Sequence, residues 1–221
     1  MSDEIEALTE TAKAVQEVAK TGRTAIEAGS ELGKFLAKML GTVPEDVVGL
    51  AGGDYLRMKR MKNIDRIFDK AEKRLAGRGV EEPDAIDLKY TQPLLEAVSE
   101  ESDETLQDMW ANLIANAMDP NHTAKFQRVF IETLKQLEPL DAKVLEAFHG
   151  YAAGTTATKH TQDRFFKAEA KNFFENEDAY TLSTDHLAQL GLIVKGESSV
   201  VGGGSLGTTA LGRELLRATA K

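Results

Sequence analysis

Apolar residues recur at helical spacing along most of the chain, which predicts a mainly α fold. The pattern is strongest between Asp54 and Leu75, where apolar side chains return every three or four residues. After an acidic linker, we expect a helix that opens at Gln92 and Pro93. Ser102 then has the character of an N-cap, with acidic residues in the first turn of a helix that runs to Asp119.

The last third of the chain changes character. Helices are expected over 123–137, from Pro139, over 162–175 and from Ser183 or Thr184. A short strand (LIV), a Gly/Ser-rich loop and a second strand follow, and Thr208 or Thr209 caps a closing helix. Helix, helix, helix, strand, loop, strand, helix is the order of a winged-helix unit.

These segments predict three parts. Residues 1–30 form an N-terminal helix whose apolar face is thin and Ala-rich, so it is mobile or depends on a partner. Residues 31–137 form a helical domain. Residues 138–221 form a small winged-helix-like domain with helices and a short β-hairpin.

Composition narrows the functional classes. Apolar residues make up 42% of the 221 residues, which is enough for a core. The absence of Cys excludes disulfides and thiolate chemistry. The polar N-terminus does not resemble a signal peptide, and no apolar run is long enough for a spanning helix. A cytoplasmic protein is the expectation, with peripheral membrane attachment as an alternative.

The net charge of −9 is unevenly distributed along the chain. Residues 51–80 carry 9 basic and 4 acidic side chains, whereas residues 81–120 carry 1 and 11. These blocks can attract each other within the fold or between copies. Nucleic-acid binding by the whole protein is disfavoured, because phosphate contacts need concentrated positive charge.

Several segments, taken in order, resemble a known bacterial family. They are GDYLRMKRMKN, PLLEAVSEESDETLQDMWANLIANAMDP, LEPLDAKVLEAF, HLAQLGLI and TALGRELL. This order resembles the abortive-infection alpha (Abi-alpha) family from roughly Leu32 to Ala218, and the acidic turn together with LQDMWANLIANA is its most specific piece. The resemblance implies a role in defence against phage, often by stopping growth or killing the infected cell. It supplies no catalytic residues.

The segment LQDMWANLIANA raises the question of a polar site. Trp110 falls on the apolar face of the helix, which makes it a core anchor. Asp108, Asn112 and Asn116 are spaced four residues apart and form one polar row. The row could be a small site with Asp108 as acid/base or metal ligand, a solvated face, or a set of hydrogen bonds between helices. We favour hydrogen bonding within the fold, because Asn is a poor helix former that needs a partner.

Two segments are candidates for contacts with anions or partners. The helix from Asp54 holds a dense run of cations, which could bind phosphate, an anionic membrane surface or a protein. The run spreads around the helix, so docking against the acidic helix start at 96–108 is the preferred interpretation. The short amphipathic segment Leu32–Leu40 could lie on a membrane, although packing or self-association is favoured. The cations of the run are Arg57, Lys59, Arg60, Lys62 and Arg66.

The winged-helix unit also allows a DNA-binding interpretation. Its candidate recognition helix would present Asp185, His186 and Gln189, and the wing has Lys195 at its base. Because this helix has no Lys or Arg, we expect it to contact protein and not DNA.

No catalytic, phosphate-loop or zinc-protease motif is present, and the four histidines lack ligand spacing. The sequence therefore predicts a non-enzymatic protein without cofactor, metal or small-molecule ligand. It would act in phage defence through protein contacts and self-association as a homo-oligomer. The alternatives are a winged-helix DNA-binding regulator and a membrane-associating effector.

Overall fold

Seven α-helices and one two-stranded antiparallel sheet make up the described residues of the computed structural model, which are 54–122, 126–149, 177–196 and 205–221. The mainly α prediction is therefore confirmed. The elements are α1 (Asp54–Gly77), α2 (Leu88–Glu100), α3 (Glu104–Met118), α4 (Arg128–Leu134), α5 (Pro139–His149), α6 (Glu177–Gln189), β1 (Ile193–Gly196), β2 (Ser205–Thr208) and α7 (Ala210–Ala218).

The chain divides into two compact units, which we describe separately. Unit one contains the described residues of 54–102 and 110–122, and unit two contains those of 103–109 and 126–221. The division falls within α3, so this helix contributes residues to both units. The predicted helices over 1–30, 32–40 and 162–175 lie outside the described residues.

In unit one, α1 packs along α2 through a continuous apolar stripe. The buried residues of α1 recur every three or four positions, as the sequence pattern predicts. Each fully buried aliphatic or aromatic side chain contributes about 1.5–3 kcal/mol relative to an exposed one. The stripe comprises Met61, Ile64, Ile67, Phe68, Ala71 and Leu75, and the buried apolar residues of α2 are Leu94, Leu95, Ala97 and Val98.

The end of α1 is a Schellman motif. Gly79 adopts φ +71°, a left-handed conformation that a side chain would strain. The Val80 N–H donates to the carbonyl of Leu75 at 3.1 Å, and the Gly79 N–H donates to Ala76 at 3.0 Å. These bonds satisfy carbonyls that the helix end would leave without partners, which explains why the helix stops here.

Two predicted helix starts in this region are wrong. Helix α2 begins at Leu88 and not at Pro93, because the Asp87 side chain accepts from the Lys89 N–H and caps an earlier turn. Pro93 lies inside the helix. The cap of α3 is Asp103 and not Ser102, since the Asp103 carboxylate accepts from the N–H groups of Thr105 and Leu106 at 2.8 and 3.1 Å.

In unit two, α6 packs against α5, and β1 and β2 pair as an antiparallel hairpin before α7. Helix α6 begins at Glu177, so the prediction that Ser183 or Thr184 caps it is wrong. Both residues are buried, and their hydroxyls are used elsewhere: Ser183 donates to Asp141 and Thr184 to the carbonyl of Thr181. Among the described residues, α5, α6, the hairpin and α7 occur in the predicted order, while the winged-helix assignment itself remains a prediction.

Helix α7 is fixed to the turn after α6 by its N-cap. The Thr209 hydroxyl accepts from the Gly212 N–H at 2.9 Å and donates to the carbonyl of Gly191 at 2.5 Å. The Thr209 N–H also donates to the Leu192 carbonyl at 3.0 Å. The predicted cap is thus confirmed, and it holds the helix as well as starting it.

We predict that Gly212→Ala destabilises unit two by at least about 1–3 kcal/mol, because overpacking against backbone leaves little room for relaxation. A Cβ at residue 212 would lie 2.1 Å from the carbonyl oxygen of Leu192. Thermal unfolding followed by circular dichroism measures the effect. Gly207→Ala is the control, since its Cβ would meet Val194 at an ordinary 3.6 Å. Equal melting temperatures for the two variants would contradict the prediction.

Candidate functional site

The polar row on α3 does not form a solvated face. Asn112 and Asn116 are buried, and Asp108 is half-buried. Trp110, with 1% of its surface exposed, lies in the core together with Leu113 and Ile114. Burial of an amide demands hydrogen-bond partners, so the location of the row supports bonding within the fold.

Asn116 belongs to a polar cluster that joins two helix ends in unit one. Arg78, just beyond α1, donates through Nη1 to Asn116 Oδ1 at 2.6 Å. The same nitrogen lies 3.5 Å from Asp119 Oδ2, and the Asp119 side chain is only 10% exposed. The guanidinium also sits at the C-terminal end of α3, where a positive charge interacts favourably with the helix dipole.

The turn after α3 places the other members of this cluster. Asp119 accepts from the Asn121 N–H through Oδ1 at 2.9 Å, and its carbonyl accepts from the His122 N–H at 3.0 Å. Pro120 occupies the position at which proline favours such a turn. The Asp84 N–H donates to the Met118 carbonyl at 2.8 Å, which holds the segment after α1 against the end of α3. The cluster therefore connects the segment after α1 to the C-terminal end of α3.

His122 is the titratable group that this cluster perturbs most clearly. Burial lowers the pKa of His122 below its usual value, and the nearby Arg78 charge lowers it further. The Asp119 carboxylate acts in the opposite direction. Within the described residues, His122 Nε2 is shielded from solvent and has no hydrogen-bond partner. Protonation of the ring would therefore place a second cation near Arg78.

The basic helix α1 docks on α2 through specific side chains. Arg60 Nη2 lies 3.1 Å from Glu100 Oε1, and Asn63 Nδ2 donates to the Ser99 carbonyl at 3.0 Å. These contacts lie in the acidic segment against which docking was predicted.

Further along α1, the exposed charges alternate in sign. Lys62, Asp65, Arg66, Asp69 and Lys73 follow one another along the solvent side, and Lys73 pairs with Asp69 at 2.6 Å. Cations occur in both halves of the helix, and the run from Arg57 to Lys62 is the stretch in which no acidic residue intervenes. Lys59 is exposed there as well, while the side chain of Arg57 lies outside the described residues.

A second polar cluster in unit two centres on the buried carboxylate of Asp141, whose side chain is 3% exposed. Its Oδ2 accepts from the Glu138 N–H at 2.9 Å, which is half of a capping box at the start of α5. The Ser183 hydroxyl donates to Oδ1 at 2.6 Å, and His186 Nδ1 lies 2.7 Å from Oδ2. Three donors thus converge on one carboxyl group.

This cluster ties α6 to the first turn of α5. An ionised carboxylate only accepts hydrogen bonds, so the contact requires a proton on Nδ1 of His186. In a catalytic triad the histidine lies between the serine and the acid. Here Asp141 lies between Ser183 and His186, so the serine hydroxyl donates its hydrogen bond to the carboxylate and not to the histidine. The arrangement fits a positioning role for the helix.

The residues predicted as winged-helix contacts differ in their surroundings. Asp185 forms an ion pair with Lys195, so the ammonium at the base of the predicted wing is already engaged. Gln189 is exposed, whereas His186 is turned toward Asp141. The most exposed apolar side chain of α6 is Leu182, at 72%.

Sequence reasoning missed Arg78, Asp119 and Asp141. Arg78 follows a Gly-rich helix end and looks like a solvent-exposed loop cation. Asp119 precedes a proline, and this pair indicates a turn but does not indicate that Arg78 would lie beside the carboxylate. The segment Glu138-Pro139 followed by Asp141 carries the signal of a helix start with an acidic first turn, but no local pattern places Ser183 beside it.

Metal sites and membrane spans were also sought among the described residues. No group of three or more His, Asp and Glu side chains there could hold a metal ion. None of the helices in these ranges combines the length and the apolar character that crossing a membrane requires.

Comparison with family models tests the resemblance that the order of the segments indicated. The family model described as Abortive infection alpha matches residues 59–219. The chain belongs to the Abortive infection alpha family. No curated protein and no solved structure matches it.

Membership in the Abortive infection alpha family implies a role in phage defence. The matched segment starts in the first half of α1 and ends beyond α7, so it contains both polar clusters.

We predict that the protein loses stability as the pH falls below about 6.5, the usual pKa of histidine, and that His122 accounts for part of the loss. The pKa of His122 is lowered in the folded state, so the unfolded chain takes up the proton first. Urea unfolding at pH 7.5 and pH 5.5 measures the shift in midpoint. His122→Gln should show a smaller shift than the unaltered protein, and an equal shift would contradict the assignment.

We predict that Asp141→Asn destabilises unit two by about 1–3 kcal/mol, because an amide group would oppose a donor with another donor in a buried position. Urea unfolding at pH 7.5 is the measurement. Asp185→Asn serves as the matched control, since it breaks an exposed ion pair worth at most about 1 kcal/mol. A larger effect at Asp185 than at Asp141 would show that the buried carboxylate does not anchor α6.

Proposed function

We propose that the protein is a non-enzymatic phage-defence protein that acts through protein contacts and self-association. Family membership supplies the defence role. The observation that carries the mode of action is the exposed stripe of α6, which presents an apolar side chain and no cation. This stripe consists of Asp178, Thr181, Leu182, Asp185 and Gln189.

The chemistry of the α6 stripe supports a protein partner over DNA. Binding to DNA rests largely on phosphate contacts from Lys and Arg. Helix α6 contains neither residue, and the nearby Lys195 is paired with Asp185. The exposed Leu182, with polar side chains around it, supplies an apolar centre and a polar rim, which is the arrangement of protein interfaces.

The two polar clusters support the non-enzymatic part of the proposal. In the unit-two cluster, the hydroxyl and the imidazole Nδ1 that could take part in catalysis both bond to Asp141. In the unit-one cluster, Arg78 and Asn116 bond to each other. Both arrangements are explained by the joints that they form between helix ends.

We predict that Leu182→Glu abolishes phage protection while the protein stays folded, because a charge on the exposed stripe would have to be desolvated in the contact. Protection is measured in a bacterial host challenged with phage, and folding by circular dichroism. Val129→Glu is the control, because Val129 is also an exposed apolar residue on a helix.

Full protection by Leu182→Glu would overturn the role of the α6 stripe. A gel shift of DNA by the unaltered protein at low salt would favour the DNA-binding alternative. Flotation with anionic vesicles would favour the membrane-associating alternative.

A further inference from the structure

Two patches of opposite charge lie at opposite ends of α1 in unit one. The basic end lies on the solvent side of α1 between residues 58 and 66, where positions i, i+4 and i+8 form one row and Lys59 adjoins it. It consists of Met58, Lys59, Lys62 and Arg66, all exposed. The acidic end lies on the segment between α1 and α2 and its continuation. It consists of Glu81, Glu82, Asp84 and Leu88, all exposed.

The two ends cannot neutralise each other within one molecule. Helix α1 has 24 residues and is therefore about 36 Å long. From Lys62 to Gly77 alone the helix rises by about 22 Å. This distance exceeds the screening length of about 8 Å at physiological salt. Each end therefore presents its charge to other molecules.

Several charges at both ends lack an ion pair among the described residues. No salt bridge there engages Lys62 or Arg66 at the basic end, or Glu81, Glu82 and Asp84 at the acidic end. Elsewhere in unit one, pairs do form, such as Arg60 with Glu100 and Lys89 with Asp87. Asp65 lies beside Arg66 and reduces its effect.

Each end also exposes an apolar side chain beside its charges. Met58 is 40% exposed at the basic end, and Leu88 is 74% exposed at the acidic end. Charged groups steer association, but burial of apolar surface stabilises the contact once it has formed. The two patches are therefore opposite in charge, and each offers an apolar side chain that the contact can bury.

We propose that the basic end of one copy docks on the acidic end of a second copy. The proposal rests on the self-association in the proposed function and specifies its geometry. The contact uses two different patches, so each copy retains one free donor end and one free acceptor end. Such a heterologous contact builds a ring if the rotation closes, and an open chain if it does not.

A second copy fits the basic end better than a lipid or nucleic-acid surface does. The complementary patch is present on the same chain and carries the same number of exposed charges. The net charge of −9 repels anionic surfaces as a whole, whereas local docking between opposite ends does not depend on the net charge alone. The half of α1 after Arg66 alternates in sign and would not extend a phosphate-binding track.

The test uses two charge-reversed variants of the full chain. One carries Lys59→Glu, Lys62→Glu and Arg66→Glu, and has two acidic ends. The other carries Glu81→Lys, Glu82→Lys and Asp84→Lys, and has two basic ends. All six side chains are exposed, so circular dichroism should show unchanged folding. Multi-angle light scattering and sedimentation velocity measure the mass over a range of concentrations.

We expect the unaltered protein to associate at low salt, and its apparent Kd to rise at least about tenfold between about 0.05 M and about 0.5 M salt, because screening weakens exposed charge pairs. Each variant alone should remain monomeric. An equimolar mixture of the two should associate again, since the acidic ends of one meet the basic ends of the other. A variant that had merely lost its fold would not be rescued by mixing.

The outcomes separate this proposal from the broader one. If both variants associate as well as the unaltered protein, the docking geometry is overturned while self-association stands. If the unaltered protein is monomeric at all concentrations, self-association itself fails. If the variant with two acidic ends loses flotation with phosphatidylserine vesicles while neither variant changes mass, the basic end binds lipid and the proposal is overturned.

Discussion

The unsatisfied backbone groups at helix ends are the constraint on which this structure depends. A helix leaves four N–H and four C=O groups without partners, and burial makes each of them costly. Here the side chains that meet this need also connect one element to another. Asp141 caps α5 and holds α6, Thr209 caps α7 and holds the turn after α6, and Arg78 lies where the ends of α1 and α3 meet. Capping and tertiary structure are therefore one set of interactions.

The features that the sequence predicted well are those set by local periodicity. The buried face of α1, the core position of Trp110 and the Thr209 cap follow from spacing and from the residue before a helix. The starts of α2 and α6 were wrong because other side chains competed. Asp87 supplies a cap five residues before the expected opening at Gln92, and Ser183 is recruited by an aspartate 42 residues away. A contact of that separation leaves no trace in local pattern.

The candidate sites show the same limit. The spacing of Asn112 and Asn116 predicted a polar row that needs hydrogen-bond partners, and both side chains are buried. The sequence could not identify Arg78 as the partner of Asn116, because Arg78 lies in a loop 38 residues earlier. His186 was grouped with outward residues because helical spacing alone cannot tell a half-buried histidine from an exposed one. The charge asymmetry of α1 and the segment that follows was visible in the sequence. The structure adds the distance that keeps the two charges apart.

The three hydrogen bonds to Asp141 have a consequence for the way unit two opens. The first turn of α5 and the middle of α6 share one acceptor group, so neither can fray without removing a partner from the other. Amide protons in these two segments should therefore exchange with solvent in a single cooperative step. The energetic effects of changing Ser183 and His186 should likewise be non-additive, because both act through the same carboxylate. The affinity of a partner that binds α6 would therefore depend on whether the first turn of α5 is folded.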